Sequence, residues 1–284
     1  MKIIECPRDA MQGIHDFIPT AIKANYINEL LQVGFDTIDF GSFVSPKAIP
    51  QMKDTGDVLK ALKLDDTPTK LLAIIANTRG AEDAVQFEEI SYLGFPFSIS
   101  ETFQLRNTNK SIVEALNTLD KVQSLCVKHD KKLVSYISMG FGNPYDDPYS
   151  VDVVAKFTDI LASMGIEIIS LADTIGVSNE ENITYLYENL IKQYPKVEFG
   201  AHLHSNPATA IEKISAAYAA GCRRFDGAIN GYGGCPMAKD ELVGNIATET
   251  MISYFENKNL ELGIDSEELA QSMKTASAIF TRYS

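Results

Sequence analysis

The sequence predicts an α/β chain folded as a closed (β/α)₈ barrel of the TIM type, with a short C-terminal helical cap. Three observations predict it. Strand-like and helix-like runs alternate along the whole chain, and repeated βα units imply a parallel sheet with right-handed crossovers. Eight units fit within residues 1–256 of the 284, the usual span of such a barrel. No Gly-x-Gly-x-x-Gly follows the first strand, which counts against an open, doubly wound sheet built for a dinucleotide. Residues 1–284 read as one domain, the barrel over about 1–256 and the cap over about 257–284.

Each element has a local signal. Ile3-Ile4-Glu5-Cys6 is a first strand, ending at Pro7-Arg8-Asp9. Ile22, Tyr26, Ile27, Leu30 and Leu31 recur at helical spacing over Thr20–Val33. Phe35–Phe40 is a second strand, and a helix around Gly56–Leu62 leads to a third, Lys70–Asn77. A short helix from Arg79 precedes a fourth strand near Gly94–Ile99, weakened by Pro96. Ser111 with Glu114 is a capping box for a helix running to about His129. Lys132–Ser138 is the fifth strand, and Met164-Gly165 stops the next helix. Ile166–Leu171 is the sixth strand. Ser178 with Glu181 forms a second capping box, ahead of the stripe Ile183, Leu186, Tyr187, Leu190, Ile191. A strand through Val197–His204 is the seventh, and Cys222–Ile229 the eighth. Helices over about Pro207–Ala220, Ala238–Glu256 and Ser266–Phe280 complete the chain.

Composition bounds the partners. Net charge is −13 and the pI about 4.8, which argues against nucleic acid or an anionic membrane as a partner. No apolar run reaches membrane-spanning length. A strand that begins at Lys2 leaves no room ahead of it for a signal or transit peptide. Cys6, Cys126, Cys222 and Cys235 have no paired spacing, so they are expected as reduced thiols in a cytoplasm.

The chemistry is expected where barrel strands end, at their C-terminal mouths. Those ends carry Arg8-Asp9, Gly41-Ser42, Asn77, Ser100-Glu101, Ser138, Asp173, His202-x-His204 and Gly231-Tyr232-Gly233-Gly234-Cys235. Strand alternation puts Val197, Phe199, Ala201 and Leu203 on one face and Gly200, His202 and His204 on the other. Two imidazoles on one face at a strand end can share a metal ion. In a closed barrel the first strand lies near the seventh, so Asp9 can join them. Two His and a carboxylate make a catalytic-type site for Mn²⁺, Mg²⁺, Co²⁺ or Zn²⁺, and the sequence does not choose between these. Arg8 beside the metal suits polarisation of a carbonyl or stabilisation of an enolate oxygen. Cys235 in its glycine loop suits a general acid or base. Asp173 suits the positioning of a proton. Taken one at a time, these residues also read as a turn, a surface ion pair, a small buried hydrophobe or a helix cap.

Together they resemble the 3-hydroxy-3-methylglutaryl-CoA lyase family, over nearly the whole chain. The resemblance lies in Pro7-Arg8-Asp9 with Gln12, Ser42-Phe43-Val44-Ser45-Pro46-Lys47 with Pro50-Gln51-Met52, Ser170–Val177, His202-Leu203-His204, Gly233-Gly234-Cys235-Pro236, and Gly244–Glu249. It implies cleavage of 3-hydroxy-3-methylglutaryl-CoA to acetyl-CoA and acetoacetate, as in leucine degradation. It implies Asp9, His202, His204 and Asn245 as ligands of a divalent metal, Mg²⁺ or Mn²⁺ foremost, with Zn²⁺ or Co²⁺ also in range. Arg8 would stabilise the enolate, Cys235 would transfer its proton, and Asp173 and Glu249 would support the site. Arg8, Gln12, Ser42 and Ser138 are expected against the substrate, and Arg106, Lys110 and Lys47 are candidates for the CoA phosphates. A homodimer is a further expectation.

The chain departs from the family's pattern at Gly13-Ile14-His15, at Asp39 where Glu is usual, at Val134 where Arg is expected, and at Ser205 in place of Asp. The Cys235–Asn245 loop also looks one residue longer. Two other readings follow. One is a related metal-dependent aldolase or Claisen-condensing enzyme acting on another acyl-CoA or 2-oxo acid. The other is a catalytically silent barrel, disfavoured because Arg8, Asp9 and Cys235 are all present.

Overall fold

The computed structural model describes residues 1–65, 67–234 and 243–284. Eight parallel strands close into a barrel: β1 (Lys2–Glu5), β2 (Thr37–Ser42), β3 (Lys70–Ile74), β4 (Ile90–Ser98), β5 (Lys132–Ser138), β6 (Ile168–Ala172), β7 (Glu198–His202) and, after a two-residue strand β8 (His204–Ser205), β9 (Arg224–Gly227). Closure is made by β9, which pairs with β7 on one side and β1 on the other. The helices between strands are α1 (Pro7–Gln12), α2 (Thr20–Val33), α3 (Thr55–Lys60), α4 (Thr78–Ala84), α5 (Glu101–Thr108), α6 (Ile112–Lys128), α7 (Val151–Ser163), α8 (Glu180–Gln193) and α9 (Ala210–Ala219). After β9 come β10 (Gly244–Asn245), α10 (Thr248–Glu256) and the capping helix α11 (Ser266–Tyr283), which packs on α2. No described helix is long and apolar enough to cross a membrane.

Strand alternation builds two cores. Leu71, Leu93, Leu133, Ile169, Phe199 and Phe225 point outward into the large core under the helices. Leu72, Ile74, Tyr92, Val134, Tyr136 and Ile168 point inward and fill the barrel. Each fully buried aliphatic side chain contributes about 1.5–3 kcal/mol, so this two-sided burial fixes the register that aims the remaining inward residues.

Several elements differ from the sequence expectation for identifiable reasons. The fourth strand runs nine residues, through Pro96. The β3 ladder ends at the pair Ile74–Gly94, so Pro96 lies beyond it and its missing N–H removes no ladder bond on that side. Pro7-Arg8-Asp9 is the first turn of α1 rather than a loop, since Pro at the start of a helix needs no N–H. The capping box of α8 is Asn179 with Asn182 instead of Ser178 with Glu181. Ser178 is not free to cap, because its hydroxyl donates to Asp173 Oδ2 at 2.5 Å. The helix expected from Ala238 begins only at Thr248 in the described part, because Gly244-Asn245 is spent as β10, paired antiparallel with β8. The capping box at Ser111–Glu114 stands as expected.

Candidate metal centre and active site

The alternation expected of the seventh strand is present. Phe199, Ala201 and Leu203 lie in the outer core. Gly200 faces inward: a Cβ there would sit 2.8 Å from Ser170 Oγ and 3.3 Å from Arg224 Cδ. His202 ends β7 on this inner face, and His204 follows in β8 with ring centroids 5.3 Å apart. Asp9 arrives from α1, directly after β1. The ligand atoms of Asp9, His202 and His204 all lie within 4.8 Å of one another.

The surroundings set the state of each donor. His202 Nδ1 donates to Asp226 Oδ2 at 3.2 Å, and His204 Nδ1 donates to the Thr174 carbonyl at 3.2 Å. Both rings therefore carry their proton on Nδ1 and turn Nε2 free, the arrangement metal-binding imidazoles need. His204 Nε2 is buried with no hydrogen-bond partner among the described residues, which fits a cation as its missing partner. Burial and the neighbouring His202 push the His204 pKa down to about 4, so the ring is neutral. Burial also opposes protonation of His202, but the Asp226 hydrogen bond and charge outweigh it and raise its pKa. Burial works against the Asp9 carboxylate too. Arg8, both histidines and Asn245 more than offset it and hold its pKa below the usual range.

A second buried group, Cys6, His202 and Asp226, has comparable spacing. Within it, Asp226 Oδ2 is already the hydrogen-bond partner of His202 Nδ1. The group would also need a thiolate, whereas burial and then Asp226, Asp39 and Asp9 push the Cys6 thiol well up. The Asp9, His202 and His204 set is the better metal centre.

Arg8 and Gln12 close around Asp9. Arg8 Nη1 donates to Asp9 Oδ1 at 3.0 Å and to Gln12 Oε1 at 2.9 Å, and Gln12 Nε2 donates to Asp9 Oδ1 at 2.8 Å. Arg8 Nε and Nη2 donate to Asp39, the latter at 2.5 Å. Asp39, where the resemblance leads one to expect glutamate, is thus the main ion-pair partner of Arg8. Burial would lower the Arg8 pKa, but Asp39 and Asp9 raise it further, so the guanidinium stays charged. Of its five N–H donors, four are engaged and one Nη2 hydrogen is left.

Asn245 reaches the site through the β8–β10 pairing, which sets it opposite His204. Its Nδ2 donates to Asp9 Oδ2 at 2.7 Å and to the Tyr232 carbonyl at 2.9 Å. Gly233 passes so close that a Cβ would lie 2.8 Å from Ala10 Cα and 2.9 Å from both Asp9 O and Asn245 Nδ2. Its φ of +88° also favours glycine. Cys235 and the extra length of its loop lie outside the described residues.

Other expected residues are engaged by partners of their own, and Asp173 N also donates to the His202 carbonyl at 2.9 Å. Asp173 is a clamp: it accepts from Val177 N, Ser178 N, Ser178 Oγ and Lys213 Nζ. Glu249 accepts from Asn230 N at 3.1 Å. Ser42 Oγ donates to the Ile74 carbonyl at 3.2 Å, and Ser138 is buried at the end of β5, paired with Ser98. Ser205 Oγ bonds Asn206 O and Thr209 Oγ1 ahead of α9. Arg106 stacks on Tyr145 at 4.7 Å, Lys110 donates to Thr118 Oγ1 at 3.0 Å, and Lys47 is exposed. These three cations share no hydrogen-bond partner with one another.

Three residues went unnoticed in the sequence. Asp226 orients His202. Lys213 Nζ donates to Asp173 Oδ2 at 2.8 Å, Gly176 O at 3.1 Å and His204 O at 2.8 Å, tying the second histidine in place. Arg224 is a fully buried arginine on β9. Val134, where an arginine is expected, is instead part of the apolar interior.

Comparison with known proteins follows the same line. A family model described as HMGL-like matches residues 2–275. A hydroxymethylglutaryl-CoA lyase of Bacillus subtilis is 33% identical over 268 residues, covering 94% of this chain and 89% of its own. A cytoplasmic 3-hydroxy-3-methylglutaryl-CoA lyase of Rattus norvegicus is 32% identical, covering 96% of this chain and 79% of its own. An HMG-CoA lyase from Acenitobacter baumannii, solved in complex with coenzyme A and 3-methylmalate, superposes with a TM-score of 0.90 at 29% identity, over 98% of this chain and 90% of that one.

Proposed function

The chain belongs to the HMGL-like family, and from that premise we infer that it cleaves 3-hydroxy-3-methylglutaryl-CoA to acetyl-CoA and acetoacetate by a retro-Claisen reaction. The observation that carries this reading is the convergence of Asp9, His202 and His204 within 4.8 Å, with both histidine Nδ1 atoms tied away. Asp9, His202 and His204, with Asn245 beside them, would hold a divalent cation; the mixed nitrogen and oxygen donors admit Mn²⁺, Mg²⁺, Co²⁺ or Zn²⁺, and the family likeness puts Mg²⁺ or Mn²⁺ foremost. When bound, that cation supplies Lewis-acid polarisation of the substrate's oxygens.

The chain's own residues do the rest. Loss of the C3 hydroxyl proton to a base turns C3–O into a carbonyl. The C2–C3 bond breaks, its electron pair passes to the thioester as an enolate, and an acid protonates C2. Arg8 is held rigid by Asp9, Gln12 and Asp39 and offers its remaining Nη2 hydrogen to the enolate oxygen. Cys235, on the loop that Gly233 leads into, is the acid that protonates C2. Gln12, Ser42 and Ser138 face the acyl group, and Asp173 and Glu249 hold the loops around it.

The acyl-CoA tail meets cations at the barrel mouth, with Arg106, Lys110 and Lys47 as the candidates for its phosphates. Buried Cys6, Cys126 and Cys222, free of disulfides, support a reducing cytoplasm as the place of work. Residues 1–284 act as one lyase unit and form a homodimer, without nucleic-acid or membrane partners.

The test is acetoacetate release from 3-hydroxy-3-methylglutaryl-CoA by chelated protein, with and without added Mg²⁺ or Mn²⁺. Metal-dependent release is expected. Metal uptake with no release would overturn the substrate and leave the barrel chemistry to another acyl-CoA or 2-oxo acid.

A further inference from the structure

We propose that Arg224 is a positioning residue for His202, acting through internal water and the carboxylate of Asp226. The inference rests on the metal reading of His202 but goes beyond it, into the barrel beneath the site.

Arg224 is wholly buried, and its Nε, Nη1 and Nη2 have no hydrogen-bond partner among the described residues. The guanidinium lies over the Tyr92 ring at 5.6 Å, and its nearest carboxylate oxygen, Glu198 Oε1, is 4.0 Å away. Two residues on, and on the same inner face, Asp226 gives Oδ2 to His202 while its Oδ1 is also buried and unpartnered. Ser170 Oγ is another such atom.

These groups occupy adjoining layers. Ser170, Gly200 and Arg224 pair across β6, β7 and β9, and Ala172, His202 and Asp226 form the next layer up. Between Ser170 and Arg224 stands Gly200, whose lack of a side chain lets the Ser170 hydroxyl and the Arg224 side chain close over it: a Cβ there would lie 2.8 Å from Ser170 Oγ and 3.3 Å from Arg224 Cδ.

A buried guanidinium with every donor unmet is untenable, because each orphaned polar group costs about 1–3 kcal/mol and a bare charge far more. The unmet donors of Arg224 and the unmet acceptor of Asp226 lie one layer apart, with a hydroxyl beside them. Buried water with two to four polar partners satisfies all three. The cation and its water then fix Asp226 Oδ1 and commit Oδ2 to His202 Nδ1. That commitment holds the ring with Nε2 toward Asp9 and His204. Partners one step behind a metal ligand typically change metal affinity by about 10–100-fold.

The experiment measures Mn²⁺ affinity by titration calorimetry for the wild type, Arg224→Met, Asp226→Asn and the double variant. Arg224→Met is expected to weaken Mn²⁺ binding about tenfold or more. The double variant should bind no more weakly than Asp226→Asn alone, since Arg224 acts through that carboxylate. Native affinity in Arg224→Met, or losses that add in the double variant, would overturn the proposal. If Arg224→Met does not fold, Arg224→Lys keeps the charge but loses the planar fork. It should weaken Mn²⁺ binding in the wild-type background and leave the Asp226→Asn background unchanged, and equal weakening in both would overturn it. A purely structural role would lower the melting temperature in both backgrounds without moving affinity. If the wild type takes up no Mn²⁺, the metal reading itself falls, and Arg224's role with it.

Discussion

Replacing Glu5 by Gln is expected to leave stability unchanged below about pH 4.5 and to raise it progressively from there to about pH 8. Glu5 is on β1, wholly buried, with Oε1 accepting from Ile229 N at 3.0 Å and Oε2 from Thr248 Oγ1 at 2.5 Å. Burial pushes its carboxyl from 4.5 up to about 8, against the pull of those two hydrogen bonds. Between pH 4.5 and 8 the folded chain therefore holds a proton that the unfolded chain releases. Stability from this group is complete below pH 4.5 and is lost as pH rises through about 8. At about 1.4 kcal/mol per pH unit, the loss reaches about 3 kcal/mol by pH 7. Glutamine mimics the protonated acid: its carbonyl accepts from Ile229 N and its amide donates to Thr248 Oγ1, at every pH. Urea unfolding of both proteins from pH 4.5 to 8.5 gives a difference curve in which all other titrations cancel. The curve should start near zero and rise to about 3 kcal/mol at pH 7 in favour of glutamine. A difference that does not change with pH would refute the reasoning.

Three further outcomes bear on the site. Gly233→Ala should keep the fold but lower kcat by about tenfold or more, since the new methyl must displace Asp9 or Asn245 and strain of about 1–3 kcal/mol is typical at such a φ; wild-type turnover with a native circular dichroism spectrum would contradict this. Lys213→Met leaves the buried Asp173 carboxylate without its cation and should cost about 3–5 kcal/mol in thermal unfolding, with weaker Mn²⁺ binding through the loosened His204 carbonyl. Cys235→Ala should lower turnover by about 10²–10⁴-fold with metal content unchanged, and near-full activity would remove the thiol from proton transfer.

The barrel was legible because its signals are periodic. Alternation along β7 and the polar ends of eight strands foretold where Asp9, His202 and His204 would meet. What stayed hidden were charged residues at buried positions. Asp226 and Arg224 alternate with Phe225 and Gly227 on β9, where both charged side chains are buried, and Lys213 occupies the buried stripe of α9 beside Ala210, Ile214 and Ala217. A lone charge at a core position is costly unless paired, so each was a usable sign of a partner across the barrel. The partner itself depends on closure, which no local pattern encodes. β10 was missed for a related reason: two residues carry no periodicity, and only the approach of β8 makes Gly244-Asn245 a strand.

The Arg8–Asp39 pair falls at a position where the sequence departs from the family's pattern. Asp39 lies at an irregularity of β2, where the register with β3 shifts between Asp39 and Gly41. Its carboxylate is 1% exposed and meets Arg8 Nη2 at 2.5 Å. The aspartate side chain thus already reaches the guanidinium, and a glutamate at this buried position would have to place an extra methylene between backbone and Arg8. Asp39→Asn is the sharper perturbation. It removes the charge that outweighs burial of Arg8, leaving Asp9 as the remaining partner carboxylate. Breaking one side of a buried pair costs about 3–5 kcal/mol, and Arg8 freed from Asp39 should turn toward Asp9, the carboxylate that the metal centre needs. Asp39→Asn is therefore expected to lower both kcat and Mn²⁺ affinity, whereas Asp39→Glu should lower thermal stability and keep Mn²⁺ affinity within about tenfold of wild type. Loss of kcat in Asp39→Asn with unchanged Mn²⁺ binding would show that Arg8 holds its place without Asp39, and that Asp9 does not feel the pair.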